Sequence, residues 1–338
     1  MRTRTIFYLW RIIPLLTLLT TLLMSPQTAV AHSVAYEQDS NNDRVIAAQK
    51  FGGVRKSTGE VTITYYGHMA VKITTPRGLE IFIDPWRNDP THEFGMWYQM
   101  HMPKTRTDIA LVTHAHFDHD ATERLNASMI LDRMAGTFEL GDVKIRGIAE
   151  KHMCEAQGKY PFRSAVIAAI DKDPCPPDES MQWNNSLYVI ETGGLRILHW
   201  GDNRQNPPDP IWDMVGPIDV AFLAVSDDGH ILSPKWANVV MKKMGAKIII
   251  PSHYYMHGIG VPNAGGLEPA LEWTKKHAHT LLDGHTLVLT PEKVGKYNQH
   301  VMYFGDHVPF AVTGTPPEPQ KEIPPVPEPA KAWERFAH

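Results

Sequence analysis

The sequence predicts an α/β fold in which helices cover buried strands and polar groups gather where the strands end. Two observations carry this prediction. The chain has 338 residues, 43% of them hydrophobic, which is enough to bury a large core. Short apolar, β-branched runs recur through its middle, and six of them end in a side chain that can bind a metal. These side chains are Asp84, His114, His152, Asp202, Asp227 and His253.

The first residues have the composition of an export signal. Arginines precede an apolar stretch from Ile12 to Met24, and Ala29 and Ala31 form a small-residue cleavage pattern. A membrane anchor is the alternative, but the apolar run is shorter than the about 20 residues of a spanning helix and contains Pro14. We therefore expect a Sec-type signal peptide over residues 1–31, cleavage after Ala31, no membrane span afterwards, and a periplasmic or secreted protein.

Export gives the two cysteines a possible pairing. Cys154 and Cys175 are an even pair in a chain bound for an oxidising compartment, so a disulfide between them is expected. Its loop of about twenty residues corresponds to roughly 3 kcal/mol of chain entropy. A thiolate metal ligand beside His152 is the alternative, and the sequence leaves the pairing open.

Composition divides the rest of the chain into three parts. Residues 32–58 are polar and without periodicity, which predicts a linker. Ordered structure is predicted over residues 59–312, and a Pro- and Glu-rich flexible tail over residues 313–338. The formal net charge of −4 gives no footprint for a nucleic acid, so none is expected as a partner.

The stretch "LVTHAHFDHD" concentrates five ionisable side chains in the seven positions from His114 to Asp120, directly behind an apolar run. His114 and His116 point the same way if the chain is still extended there. Asp118 and His119 follow on a turn that we expect to lead into a helix near Ala121. Two ligand groups on adjacent faces of one tight loop can serve two metal ions, whereas the alternative is a solvated polar loop.

The segment "THAHFDH" resembles the signature of the metallo-β-lactamase superfamily, and the resemblance extends over about residues 60–290. It includes "GLEIFIDPW", "NNSLYVIETGGLRILHWGDN" and "AKIIIPSHY". The nearest group contains L-ascorbate-6-phosphate lactonase and N-acyl-phosphatidylethanolamine phospholipase D, which share a Gly-His element seen here as Gly67-His68. The resemblance implies a single-domain αββα sandwich of two mixed β-sheets flanked by helices.

The resemblance also implies a site for two divalent metal ions, with zinc expected and manganese or iron as alternatives. The ligands of one ion are His114, His116 and His152, those of the other are Asp118, His119 and His253, and Asp202 bridges them. His101 and His68 compete with His152, although neither follows a strand. Such ions lower the pKa of a shared water and present hydroxide as a nucleophile, so hydrolysis is expected. Asp118 and Asp202 are the expected catalytic carboxylates, since Asp118 can also orient the nucleophile or pass a proton.

Further residues are expected around the ions. Asp84 is expected to hold a histidine ligand from behind, or else to be a simple turn carboxylate. His68 is expected behind the ligands or facing substrate, or else in the core. Asp227, His230 and Tyr254 are pocket candidates at the edge of the site.

The expected substrate is a small or lipid-like molecule with an ester-type bond. Because β-lactamases of the superfamily usually carry Cys or Ser where Asp202 stands, the resemblance favours a lactone, thioester or phosphodiester over a β-lactam. The segment 86–108 is rich in Met and aromatic residues, as a wall for an apolar substrate would be, or alternatively a loop packed on the core.

The sequence is also compatible with two other functions. A mononuclear iron oxidoreductase of the same fold would use His114, His116, His152 and Asp202 and leave the second group vacant. A non-catalytic periplasmic binding protein would normally lack ligands, and none is missing here. The oligomeric state is not predicted.

Overall fold

The structure is a computed structural model that describes residues 59–153, 184–227 and 229–312, with isolated positions at 164, 167 and 168. The predicted signal peptide, the linker over residues 32–58, both cysteines and the tail over residues 313–338 lie outside the described residues. Within the described part, no helix is long and apolar enough to span a membrane.

The first sheet has six strands in the order β13-β1-β2-β3-β4-β5. Their bounds are Val61–Tyr65 (β1), Val71–Thr74 (β2), Glu80–Ile83 (β3), Thr105–Val112 (β4), Leu125–Asp132 (β5) and Thr286–Leu289 (β13). The pairs from β13 to β3 are antiparallel, whereas β3, β4 and β5 run parallel, so the sheet is mixed.

The second sheet has eight strands in the order β12-β14-β11-β10-β9-β8-β7-β6. Their bounds are Gly136–Leu140 (β6), Val143–Glu150 (β7), Asn185–Thr192 (β8), Leu195–His199 (β9), Val220–Ala224 (β10), Ile248–Ser252 (β11), His279–Leu281 (β12) and His300–Tyr303 (β14). Strands β6 to β9 are antiparallel neighbours, and β9, β10, β11, β14 and β12 are parallel.

Side chains of the second sheet alternate between its two faces, and each face packs into a different hydrophobic core. In β8, Tyr188 and Ile190 pack in a cluster that includes side chains of both sheets, while Leu187 and Val189 pack on the opposite face with helical residues. The helices are Asp209–Val215 (α1), Pro234–Met244 (α2), Leu271–Lys275 (α3) and Pro291–Val294 (α4). The predicted fold, two mixed sheets with helices in one domain, is confirmed.

The helix predicted near Ala121 is wrong. Thr122–Arg124 form a single 3₁₀ turn, and the chain then enters strand β5. The reason is that Leu125, Met129 and Leu131 recur at even spacing and pack against the core between the sheets. This period-two pattern fits a strand that pairs with β4 over most of its length.

Candidate metal centre

Five of the six predicted strand ends meet at one edge of the sandwich. Asp84 follows β3, His114 follows β4, His152 follows β7, and His253 follows β11, while Asp202 lies three residues beyond β9. The loop after β4 is compact because the backbone N–H groups of His119 and Asp120 both donate to the carbonyl of His116. The edge therefore collects side chains that are distant in the sequence.

The first ligand group consists of His114, His116, His152 and Asp202, with one potential ligand atom from each residue within 4.8 Å of the others. Nε2 of His114 lies 3.1 Å from Nδ1 of His116. Oδ2 of Asp202 lies 3.5 Å from Nε2 of His152 and 3.8 Å from Nε2 of His114. The three histidines predicted for one ion are therefore together.

The second ligand group consists of His68, Asp118, His119 and His253, again with ligand atoms within 4.8 Å of one another. Oδ2 of Asp118 lies 3.3 Å from Nε2 of His253 and 3.5 Å from Nε2 of His119. Nε2 of His68 is nearer, at 2.9 Å from the same oxygen. His68 thus lies within the ligand group itself, where it can either bind a cation or orient Asp118.

Asp202 stands between the two groups. Its Oδ2 lies 3.2 Å from Nε2 of His253 and 3.4 Å from Nε2 of His119, in addition to its contacts with the first group. One carboxylate oxygen therefore faces nitrogen atoms of both groups. This is the position that a bridging ligand requires.

Asp84 supports the ligands from behind. It is completely buried, and its Oδ2 lies 2.9 Å from Nδ1 of His119. Because a carboxylate only accepts, Nδ1 carries the proton of this hydrogen bond, and Nε2 faces the Asp118 and Asp202 carboxylates. Asp84 also accepts from the N–H and the hydroxyl of Thr113, at 2.8 and 2.7 Å.

Thr113 continues this support to His114. Its hydroxyl lies 3.0 Å from Nδ1 of His114 while it donates to Asp84, so the His114 ring can donate to the threonine oxygen. His152 is held similarly, by the contact of its Nδ1 with the carbonyl of Met153. In both rings Nε2 is the atom that faces the ligand groups. Sequence reasoning missed Thr113, although a hydroxyl one residue before the first histidine was a usable signal.

Three of the site residues have left-handed backbone conformations. The φ angles are +56° at His68, +50° at Asp84 and +60° at His253. Residues other than glycine adopt this region at a cost of order 1–3 kcal/mol, and they persist where surrounding contacts hold them. Here the His68 carbonyl accepts hydrogen bonds from the Tyr65 hydroxyl and the His253 N–H, both at 2.8 Å.

Burial and neighbouring charges divide the histidines into two electrostatic classes. Burial, followed by the nearby histidines, lowers the pKa of His114 well below its ordinary value, and burial and His152 lower the pKa of His116 to about 3. Burial also opposes charge on His253, but the Asp202 and Asp118 carboxylates outweigh it and raise its pKa to about 9.

The two carboxylates show the reciprocal effect. Burial would raise the pKa values of Asp118 and Asp202, but His119 and His253 hold both well below the ordinary range. Both side chains are therefore anionic at neutral pH. Two carboxylates beside six imidazole rings give the mixed oxygen and nitrogen donor set of zinc, manganese and iron sites.

The residues present fit divalent cations. Among the described residues, Nε2 of His119 and Oδ1 of Asp202 are buried and form no hydrogen bond. Leaving such atoms unsatisfied is unfavourable by about 1–3 kcal/mol each. Ligand nitrogens around a tetrahedral Zn²⁺ are about 3.3 Å apart, given Zn–N distances of about 2.0–2.1 Å. Apart from the hydrogen bond of 2.9 Å between His68 and Asp118, the separations given above within the groups are 3.1 to 3.8 Å and match this spacing.

Of the remaining residues predicted near the site, one borders the second ligand group and the others belong to neither group. The ring of His230 is buried and stacks parallel to that of His253 at 5.3 Å, so it borders the second group. Asp227 instead accepts from the N–H groups of Glu272 and Trp273 at the start of α3. The hydroxyl of Tyr254 donates to the Gly305 carbonyl at 2.8 Å. His101 belongs to neither ligand group.

The aromatic segment after β3 forms a wall beside the second group. The ring of Trp97 lies edge-on to His230 at 5.6 Å and to Phe117 at 5.2 Å, between centroids. Its carbonyl accepts from the Val261 N–H, and Gln99 N–H donates to the Ile259 carbonyl, which ties the segment to the loop after β11. The segment packs on the core and borders the site at the same time.

Two mixed sheets with buried His and Asp groups at one edge define the class of metallo-β-lactamase-fold proteins. A sequence profile described as beta-lactamase superfamily domain matches residues 62–253, and the chain belongs to this family. The resemblance stated from the sequence is thereby confirmed at the level of the superfamily. The matched residues contain both ligand groups.

Individual relatives agree with this assignment. The chain is 27% identical over 216 residues to a UPF0173 metal-dependent hydrolase of Thermodesulfovibrio yellowstonii, covering 59% of this chain and 80% of the relative. It is 26% identical over 273 residues to another from an Anaeromyxobacter species, covering 71% and 88%. A Thermotoga maritima protein described as a Zn-dependent hydrolase of the metallo-beta-lactamase superfamily shares its fold, with a TM-score of 0.50, 22% identity, and coverage of 72% of this chain and 98% of that one.

Proposed function

We propose that this protein is a metal-dependent hydrolase that uses two divalent cations, zinc in the first instance, to cleave an ester-type bond. The observation that carries the proposal is the position of Asp202, whose Oδ2 lies within 3.2 to 3.8 Å of four imidazole nitrogens drawn from both ligand groups. A single-ion site has no need of this arrangement. The relatives described as metal-dependent hydrolases support the same reaction class.

The first group binds one cation through His114, His116 and His152, and the second binds the other through Asp118, His119 and His253. Two such cations supply a water of lowered pKa and an electrophile for the substrate oxygen. Asp118 has a second task, since its Oδ2 is close to three imidazole nitrogens and it can accept a proton from the attacking water or pass one to the leaving group. Asp84 and Thr113 keep the rings of His119 and His114 in the binding orientation.

The substrate class follows from the wall of the site. Trp97 and Phe117 present apolar surface beside the ligand groups, and Met96 on the same segment is 41% exposed. An apolar or acyl-bearing lactone, thioester or phosphodiester fits these surroundings better than a highly charged substrate. We also propose that the enzyme acts outside the cytoplasm, and the export-type composition of its first residues supports this.

The alternative with a single catalytic iron uses only the first group. Against it stands the second group, which is complete, buried and joined to the first through Asp202. Elemental analysis of purified protein separates the two, because the hydrolase is expected to retain about two ions and the oxidoreductase one iron with oxygen consumption.

The test of the proposed function combines that analysis with a hydrolysis screen. Purified protein loaded with zinc, manganese or iron is assayed against lactones, acyl thioesters and phosphodiesters. Asp118→Ala and Asp202→Ala are expected to reduce hydrolysis by at least about 100-fold, as expected when a general acid–base or ligating carboxylate is lost. Asp120→Ala is the matched control, because Asp120 lies in the same loop but forms an ion pair with Arg87 at 2.7 Å. Hydrolysis that survives both substitutions would refute the proposal.

A further inference from the structure

Tyr98 has a buried hydroxyl that the fold itself does not use. Its side chain is 3% exposed, and within the described residues the hydroxyl forms no hydrogen bond. Most buried polar groups in native proteins are paired, and leaving one unpaired is unfavourable by about 1–3 kcal/mol. Such a group calls for an explanation from ligand binding or catalysis.

Tyr98 is held firmly in place. The Asn88 side chain binds its backbone twice, accepting from the Tyr98 N–H at 2.8 Å and donating to its carbonyl at 3.0 Å. Tyr98 also forms an isolated antiparallel bridge with Gly260, and its ring lies 4.4 Å from that of Trp86. The hydroxyl is therefore positioned before any substrate arrives.

The position of the ring is beside the second ligand group. It lies edge-on to His68, with 5.7 Å between centroids and 86° between planes. Burial raises the pKa of Tyr98 well above its ordinary value, and the Asp118 and Asp202 carboxylates raise it further. The phenol thus keeps its proton at neutral pH and is a hydrogen-bond donor beside the second ligand group.

Two other buried tyrosines near the site, Tyr65 and Tyr254, have hydrogen-bond partners within the protein. The hydroxyl of Tyr65 donates to the His68 carbonyl, and that of Tyr254 donates to the Gly305 carbonyl. Tyr98 lines a small apolar recess together with His68, Trp97, Leu267 and other residues. Of the two buried tyrosines that line this recess, Tyr98 and Tyr254, Tyr98 is the one whose donor remains available to a bound molecule.

We propose that the Tyr98 hydroxyl donates a hydrogen bond to the substrate oxygen that gains negative charge during hydrolysis. The inference rests on the proposed function, and it makes Tyr98 a catalytic residue for carbonyl or phosphoryl substrates. A rigid, buried donor aimed at developing charge needs no reorganisation during the reaction, and this is the condition under which such a bond is most effective.

The test is Tyr98→Phe, which removes the hydroxyl and keeps the ring. With the best substrate of the screen, kcat is expected to fall about 100- to 1000-fold, the range for loss of one such donor, with little change in KM. Cation content is expected to stay at the wild-type value and Tm to stay the same or rise, because an unpaired buried hydroxyl is removed. The control is Tyr303→Phe, whose hydroxyl has a backbone partner at Ala270 and is expected to lower Tm without lowering kcat.

A binding measurement gives a readout independent of turnover. A transition-state analogue, a phosphonate for a lactone or thioester and vanadate for a phosphodiester, is expected to bind Tyr98→Phe more weakly, by the factor lost in kcat, while the carboxylate or phosphate product binds equally to both proteins. If kcat and analogue affinity are unchanged in Tyr98→Phe while Asp118→Ala is inactive, the inference is overturned and the proposed function stands. If wild-type protein with two bound ions hydrolyses none of the substrate classes, both are overturned.

Discussion

Oδ2 of Asp84 lies 2.9 Å from Nδ1 of His119, on the side of the ring that faces away from Asp118 and Asp202. Asp84 itself belongs to neither ligand group, and it fixes the orientation of the His119 ring from the side opposite to the two carboxylates. Asp84→Asn is expected to lower affinity for the cation of the second group by about 10- to 100-fold, as for other carboxylates behind histidine ligands. Competition with a chromophoric chelator measures the affinity, and Asp120→Asn serves as control. Equal affinities would show that Asp84 acts only as a turn residue.

Filling the second ligand group should release protons at neutral pH. The pKa of His253 is about 9, so its ring is protonated at pH 7, whereas a cation accepts only the neutral ring. His116, with a pKa of about 3, and His114, whose pKa is also lowered, are already neutral and release none. Proton release from His253 is therefore present at pH 7 and disappears as the pH rises through about 9.

Calorimetric titration in buffers of different ionisation enthalpy measures this release. In His253→Gln, release at pH 7 is expected to drop by about one proton relative to wild type, which distinguishes the imidazole from a bound water that also loses a proton. The same proton count in the two proteins would contradict the prediction.

Gly265 allows Trp97 to reach its place in the wall. Its φ is +58°, and a β-carbon built there would lie 2.5 Å from the Trp97 ring. Gly265→Ala is expected to destabilise the protein by about 1–3 kcal/mol through strain and overpacking, and to raise KM for apolar substrates because Trp97 is displaced. Gly284→Ala is the matched control, since nothing lies within 4 Å of its β-carbon position. Thermal melts and KM values against acyl-chain length check both effects.

Asp227 belongs to a helix end. Both of its oxygens accept backbone N–H groups at the start of α3, at 3.0 and 2.7 Å. Asp227→Ala is expected to lower the free energy of unfolding by about 0.5–2 kcal/mol, the value of a lost helix cap, without changing the number of bound cations. Denaturant unfolding and elemental analysis measure the two quantities. Asp227→Ser is expected to recover part of the stability. Loss of a bound cation in Asp227→Ala would contradict the prediction and show that Asp227 contributes to cation binding.

The strand-end pattern predicted most of the side chains that meet at the candidate metal centre, because an apolar run followed by His or Asp is a local signal. His114, His152, Asp202 and His253 each follow their strands as the pattern indicated. Other features depend on contacts across the fold. Asp227 follows an apolar strand as Asp202 does, but its carboxylate accepts hydrogen bonds from backbone N–H groups at the start of α3.

The turn after His119 shows the same limit. Residues 121–124 are compatible with a helix start, and packing of Leu125 and Met129 on the core selects a strand instead. The unpaired Tyr98 hydroxyl is invisible in a sequence, because it depends on which acceptors the fold leaves out of reach.

Each ligand group draws on both sheets: His116 and Asp118 follow a strand of the first, while His152 and His253 follow strands of the second. A cation held in either group is thus a cross-link between the two halves of the sandwich. Removal of the ions with a chelator would allow the two sheets to separate at this edge. Protease cleavage of the loops at this edge would then increase before the core between the sheets unfolds. The same atoms that serve the chemistry would then also set how long the protein stays folded.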